Sequence, residues 1–195
     1  MKILVTGSKG FIGKNLVVAL KNHGYNDIYE FDIDTDLKLL DQYCFDCDFV
    51  FHLAGVNRPK NEEEFMQGNF GFMSILLDKL KQFNNKCPIM ISSSVQASLD
   101  NPYGLSKKAG EELIFEYGKK EDVKVLVYRF PNVYGKWCKP NYNSAVATFC
   151  NNIANDLPIT VNNRETIMHL VYIDDVFNEL INALEGKGNK VGYYY

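Results

Sequence analysis

The chain has no run of lysine and arginine, and no apolar stretch near the ~20 residues of a membrane-spanning helix. Nor does it open on a basic segment followed by a long apolar one. The first absence argues against nucleic acid as a partner and the second against a membrane. The third removes a secretory signal and leaves the cytoplasm as the expected location. Cysteine is sparse and odd in number: Cys44, Cys47, Cys87, Cys138 and Cys150. An odd count without a secretory signal predicts reduced thiols. Cys44 and Cys47 have C-x-x-C spacing, but no second pair and no spaced histidine pair follows. A zinc site would lack two ligands, so no metal is expected. What remains is ordinary for a globular domain: 195 residues, 46% hydrophobic, 23% charged, net charge −3. That length supports one sizeable core and is marginal for two.

Along the chain, strand-like and helix-like runs alternate. Residues 2–6 form a β-branched and leucine run, as expected of a strand buried on both faces. It leads into Thr6-Gly7-Ser8-Lys9-Gly10-Phe11-Ile12-Gly13. Ile12, Leu16, Val17 and Leu20 then recur at helical spacing up to His23-Gly24, a good stop. Residues 28–31 read as a second strand ending at Asp32. Strand, glycine turn, helix, and strand with an acidic residue about 20 positions on is the dinucleotide-binding arrangement. A tight turn, close approach of backbone to a pyrophosphate and close helix packing each call for a glycine, and the helix start offers N–H groups to phosphate.

Further strands are predicted at 49–53, 89–92 and 123–130, with helices through 65–83 and from 102 to about 117. Such alternation predicts an α/β fold, a doubly wound parallel sheet with helices on both faces and ligands beyond the carboxyl ends of its strands. Gly7, Ala54, Ser94 and Pro131 all fall at such ends. After residue 130 the spacing predicts a polar, aromatic loop to 143, a helix over 144–154 and short strands near 159–161 and 167–170. A last helix over 174–184 would use Asp174 and Asp175 as cap and first turn, and another strand would begin at Tyr195. His169 is expected to be packed or hydrogen-bonded. The chain divides into a dinucleotide-binding part, 1–135, and elements of a substrate lobe, 136–195.

Within this frame Tyr103 and Lys107 draw notice. Asn101 suits a helix N-cap and Pro102 the first helical position. Residues four apart then share one face, setting a phenol beside an ammonium. A close cation is expected to lower the phenol's pKa from ~10 and fit Tyr103 for acid–base work. A serine hydroxyl from Ser92-Ser93-Ser94 would hold the reacting oxygen.

Together these stretches, with Phe51-His52-Leu53-Ala54-Gly55, Arg129-Phe130-Pro131-Asn132-Val133-Tyr134-Gly135 and Tyr172-Ile173-Asp174-Asp175, resemble the extended short-chain dehydrogenase/reductases of the nucleotide-sugar epimerase/dehydratase group. His52 to Pro59 and Gly135 to Ser144 further resemble the reductase half of CapF-type capsular polysaccharide enzymes. The resemblance implies a Rossmann-like fold and NADPH-dependent reduction of the C4 ketone of a UDP-2-acetamido-2,6-dideoxy-hexos-4-ulose, on the route to UDP-N-acetyl-L-fucosamine. It implies Tyr103 as proton donor, Lys107 on the nicotinamide ribose, and Ser94, rather than Ser93, on the carbonyl oxygen. Gly7, Gly10 and Gly13, with Lys9, Phe11 and Ile12, would hold the pyrophosphate. Asp32, Leu53, Ala54, Gly55 and Asn69 would line the cofactor, and Phe130 and Pro131 the nicotinamide. Asn57, Arg58, Asn132, Lys136 and Trp137 would face the UDP-sugar. It further implies a homodimer through the helices around 65–83 and 102–117.

The chain departs from this pattern in two ways. Asp32 is the residue type that accepts from a free ribose 2′-hydroxyl and repels a 2′-phosphate, favouring NAD(H) over NADP(H). Relatives of this kind also have a longer lobe and a C-terminal metal-binding cupin domain, so a shortened chain with an incomplete substrate site is expected. Two other functions are compatible with the motifs: a 4-epimerase with retained NAD, and a non-catalytic dinucleotide-binding module. Dehydration is disfavoured, because Val95-Gln96 stand where dehydratases place an acidic pair.

Overall fold

The computed structural model describes residues 1–187; the strand expected at Tyr195 lies outside them. Five parallel strands, β1 (Ile3–Thr6), β2 (Ile28–Phe31), β3 (Phe49–His52), β4 (Ile89–Ser94) and β5 (Val125–Phe130), form one sheet in the order β2-β1-β3-β4-β5. The order reverses between β1 and β3, and ligands of doubly wound sheets bind at that switch point. Helix α2 (Leu37–Asp46), which the spacing did not single out, crosses directly from β2 to β3 and leaves β2 at the sheet edge.

Alternation along the strands fills two cores. Ile3 and Val5 of β1 point to the face covered by α1 (Phe11–Asn22) and α7 (Ile173–Leu184), with Leu16, Leu20, Val176 and Leu180 packed on them. Leu4 points to the other face, where α2, α4 (Phe72–Gln82) and α5 (Pro102–Glu121) bring Leu40, Leu76 and Ile114. So α7, from the part assigned to the substrate lobe, is built into the core of the sheet. Cys44, Cys47 and Cys87 are buried free thiols in the second core.

The expected helix over 65–83 is three pieces: α3 (Glu63–Met66), a π-helical turn (Gln67–Gly71), and α4. Beyond β5 the predicted loop contains a strand, β6 (Asn132–Tyr134), paired in parallel with β7 (Leu170–Tyr172). No strand forms at 159–161. Between β6 and β7 lies α6 (Ala145–Ala154), capped by the Ser144 hydroxyl on Ala147 N–H at 3.2 Å. Tyr172, not Asp174, is the N-cap of α7, with Asp174 and Asp175 in the first turn. His169 is exposed rather than packed, and its carbonyl accepts from Asn132 N–H at 3.2 Å. Among the described residues no helix is long and apolar enough to cross a membrane.

Candidate active site

The glycine turn follows β1. Gly7 has φ +69°, a left-handed conformation, and a Cβ there would stand 2.7 Å from Ala54 N. The first and third strands thus approach closely enough that only a hydrogen fits. A Cβ on Gly13 would stand 2.1 Å from Gly7 O, so the first turn of α1 lies directly on the loop. Gly10 is the N-cap of α1, with no side-chain cap bond and no acidic residue in the first turn. The N–H groups and positive dipole end of that turn remain available to an anion. Phe11 and Ile12 pack half-buried on the first core, as does Leu53. Both oxygens of Asp32 accept backbone N–H groups, Oδ2 from Lys9 at 2.7 Å and Oδ1 from Ile33 at 2.8 Å. The carboxylate keeps further lone pairs for a hydroxyl. The ammonium of Lys9, expected at a phosphate, is instead paired with Asp34 in an exposed ion pair. Hydrogen bonding between the two raises Lys9 and lowers Asp34 from their ordinary pKa values.

At the far end of β4 the backbone delivers the serines. Asn101 caps α5 through Gly104 N–H at 2.8 Å, with Pro102 at its start, as the sequence predicts. Tyr103 lies in the first turn, its ring centroid 5.6 Å from that of Phe65. Burial raises the phenol's pKa, opposed by a hydrogen bond with Ser94. The expected depression by Lys107 does not occur here. Lys107 Nζ sits 5.8 Å from the ring centroid and donates to Ser92 O at 3.2 Å. Although Lys107 is half-buried as a whole, desolvation of its ammonium pulls it down to about 8, with Glu111 working the other way. A Cβ on Gly55 would stand 3.1 Å from that ammonium, so the turn after β3 closes over it. Phe130 and Pro131, half-buried, end β5, where Phe130 is in register with Ser94.

Two buried polar groups to which the sequence reading gave no role, Glu111 and His52, hold this arrangement. Glu111, one turn beyond Lys107 and 1% exposed, accepts from Arg129 Nε at 2.8 Å and Nη2 at 2.6 Å. It also accepts from Ser93 Oγ at 2.5 Å. The carboxylate therefore ties α5 to the adjoining strands β4 and β5, and occupies Ser93, leaving Ser94 as the serine beside Tyr103. His52 ends β3, its Nδ1 2.8 Å from Thr6 Oγ1. One signal was legible: Tyr103, Lys107 and Glu111 recur every four residues, one face of a helix. Asn69, expected at the cofactor, is 3% exposed and used by the protein itself. Its Oδ1 accepts from Val56 N at 2.9 Å, and its Nδ2 donates to Val56 O at 3.1 Å and Ser106 Oγ at 3.0 Å.

The residues expected at the sugar nucleotide are divided. Arg58 Nε donates to Asn143 Oδ1 at 2.9 Å, and its guanidinium lies 5.2 Å from the Tyr142 ring centroid. With residues 141–145, Thr148 and Phe149 it lines an open pocket of about 550 Å³. Asn57 is exposed on the same loop. Asn132 is spent on His169 O, to which its N–H and Nδ2 donate at 3.2 and 3.4 Å. Lys136 Nζ lies 4.4 Å over the ring of exposed Trp137, and Lys136 O accepts from Asn15 of α1 at 3.0 Å.

The sequence profile of the NAD dependent epimerase/dehydratase family matches residues 3–193. The UDP-2-acetamido-2,6-beta-L-arabino-hexul-4-ose reductase of Pseudomonas aeruginosa is 44% identical over 187 residues, which are 96% of this chain and 50% of that protein. The crystal structure of the capsular polysaccharide assembling protein CapF from Staphylococcus aureus aligns with a TM-score of 0.87 at 44% identity, covering 98% of this chain and 52% of that one. UDP-glucuronic acid 4-epimerase from Bacillus cereus, solved with NAD, shares the fold with a TM-score of 0.85 at 24% identity, over 100% of this chain and 77% of that one. The chain spans about half the length of the curated relatives it matches, 50% and 57% of the first two. A glycine turn at the switch point, a Tyr103–Lys107 pair beside Ser94 and a profile match from end to end place the chain in the NAD dependent epimerase/dehydratase family.

Proposed function

We propose that the protein reduces the C4 ketone of a UDP-linked 2-acetamido-2,6-dideoxy-hexos-4-ulose, a precursor of UDP-N-acetyl-L-fucosamine for capsular or other surface polysaccharide, and prefers NADH. The observation that carries the reading is the meeting of Ser94, Tyr103 and Lys107 on the rim that also bears Gly7 and Ala54. The name of the 44% identical relative supports the substrate class.

The cradle at Gly7, which a Cβ would fill, and the uncapped start of α1 fit a dinucleotide pyrophosphate. Bound there, the reduced nicotinamide supplies a hydride to C4. The chain's residues supply the rest. Ser94 Oγ holds the ketone oxygen, and Tyr103 gives its phenolic proton to that oxygen as charge develops. Burial keeps the phenol protonated at neutral pH, which is the form a reduction needs. Lys107, whose ammonium lies 5.8 Å from the ring centroid and does not lower the phenol's pKa here, is the group that would hold the nicotinamide ribose. Asp32 speaks for NADH: its carboxylate accepts from a ribose hydroxyl and repels a 2′-phosphate. Lys9, the nearby cation, is already matched by Asp34.

The experiment follows absorbance of the reduced nicotinamide with the intact protein, NADH or NADPH, and a panel of UDP-4-keto-sugars. Turnover with NADH at least about tenfold above NADPH, equivalent to ~1.4 kcal/mol, is expected. Tyr103→Phe should lose roughly 10²–10⁴-fold in turnover while coenzyme affinity stays within a factor of about three. Undiminished reduction by that variant sinks the assignment. Tightly retained NAD in the purified protein, with interconversion of C4 epimers, would favour the epimerase reading that other relatives' names suggest. The exposed Ile75 of α4, with Leu105 and Phe115 of α5, supports a homodimer through these helices, which light scattering measures.

A further inference from the structure

His52 is 2% exposed, and its neighbours bear on which ring nitrogen carries the proton. Thr6 Oγ1 already accepts the Ala54 N–H at 3.4 Å and lies 2.8 Å from His52 Nδ1. Thr6 Oγ1 could accept from a protonated Nδ1 or donate to a bare one; donation gives the buried hydroxyl proton a partner, which favours the tautomer with the ring proton on Nε2. Among the described residues, Nε2 has no hydrogen-bond partner. His52 borders a pocket of about 10 Å³ whose wall also includes Asn69, Ser92, Ser106 and Lys107. That is the room one water needs, and a buried water needs two to four polar partners.

The other polar groups on the wall are largely committed. Asn69 is used by Val56 and Ser106, the Ser106 hydroxyl donates to Tyr103 O at 2.7 Å, and Ser92 Oγ donates to His52 O at 3.4 Å. Ser106 Oγ keeps one lone pair, and the Lys107 ammonium, with Ser92 O as one acceptor, keeps two protons. A donor from His52, a donor from Lys107 and an acceptor at Ser106 thus border a space of one-water size.

We propose that His52 is a positioning residue that, together with Lys107, holds one structural water, and that this water solvates the inner side of the lysine ammonium while its outer side remains open to the coenzyme. Its consequence for turnover rests on the reading of Lys107 given above; the water site does not. The ionisable groups facing Lys107 are Tyr103 and Glu111 of its own helix, His52 of β3 and, through Glu111, Arg129 of β5. Of these, Glu111 favours the ammonium and burial opposes it, so an extra acceptor at its inner side would hold the charge.

The test compares the intact protein with His52→Gln, which keeps an N–H donor, and His52→Phe, which fills the space without one. The titration of Lys107 is read by NMR on ¹³C-labelled lysine, assigned with Lys107→Arg, in the absence of coenzyme and substrate. His52→Phe should lower the Lys107 midpoint by about one pH unit, the effect of losing one hydrogen bond to a charged group. His52→Gln should leave it close to that of the unaltered protein. A His52→Phe midpoint within about 0.2 unit of the unaltered one, or equal shifts in both variants, overturns the proposal. Should His52→Phe fail to fold, ¹⁵N spectra of the unaltered protein decide: a neutral ring protonated on Nε2 is expected, and one protonated on Nδ1 refutes the site. No ketone reduction enters these readouts, so the proposed reaction and the water site fail separately.

Discussion

Helices α6 and α7 follow β5 within the same stretch of chain and end differently. Six residues of α7, Ile173, Val176, Leu180, Ile181, Ala183 and Leu184, are buried on the sheet, whereas α6 buries none. Ile153 of α6 is 64% exposed and Ile167, after it, 82%. Leu157, Ile159, Val161 and Leu170 are exposed as well, so several apolar side chains of this stretch are left uncovered by the described residues. The crevice is the opposite case. Around Tyr103 and Lys107 the buried polar groups are held largely by one another, His52 Nε2 excepted, and the residues expected at the coenzyme come from the sheet and its helices. The coenzyme reading can therefore be tested on this chain, while the substrate reading rests on a 44% identical relative of which the chain spans 50%.

Stability measurements can break that contrast. The largest loss is expected from Glu111→Ala, which removes the buried carboxylate that Ser93 Oγ and the Arg129 guanidinium share: about 3–5 kcal/mol by urea unfolding. A loss under ~1 kcal/mol would mean that the carboxylate does not tie α5 to the sheet. Leu180→Ala in α7 should cost roughly 2–5 kcal/mol as a core truncation.

Acid should act next. Burial pushes His52 down to about 3, while the unfolded chain takes up that proton near the ordinary 6.5. Stability is then complete above pH 6.5 and falls as pH drops from there toward 3, at ~1.4 kcal/mol per pH unit for one proton. Between pH 6.5 and 5 this amounts to about 2 kcal/mol, and His52→Gln should lack that component. Equal acid slopes in the two proteins would place His52 in contact with solvent. The smallest effect is expected at α6, where Ile153→Ala should stay within about 0.5 kcal/mol. A core-sized loss there would show that the surface is covered in solution, and the contrast with α7 would disappear.

Much of the crevice was legible because its signals are local. Gly7, Gly10 and Gly13 mark a turn by their spacing, and Asn101-Pro102 mark the start of α5 by their backbone chemistry. The lobe was less legible. Strand β6 hid in a run of Asn, Tyr and Gly because three residues in a two-stranded ladder need no periodicity of their own. Residues 159–161 form no strand, and none of the described residues pairs with them. Asn69 and Asn132 carried the right chemistry for a ligand, but the fold spends their amides on its own backbone.

The sequence by itself determined the alternation of strand and helix, the glycine turn, and the face on which Tyr103 and Lys107 lie together, since each depends on neighbours within a few residues. Only the tertiary structure decided that Ser93 serves Glu111 and Ser94 stands by the phenol. It alone turned the lysine toward Ser92 O and set His52 beside it. Those outcomes depend on the register of parallel strands and on desolvation, and both arise from residues far apart along the chain.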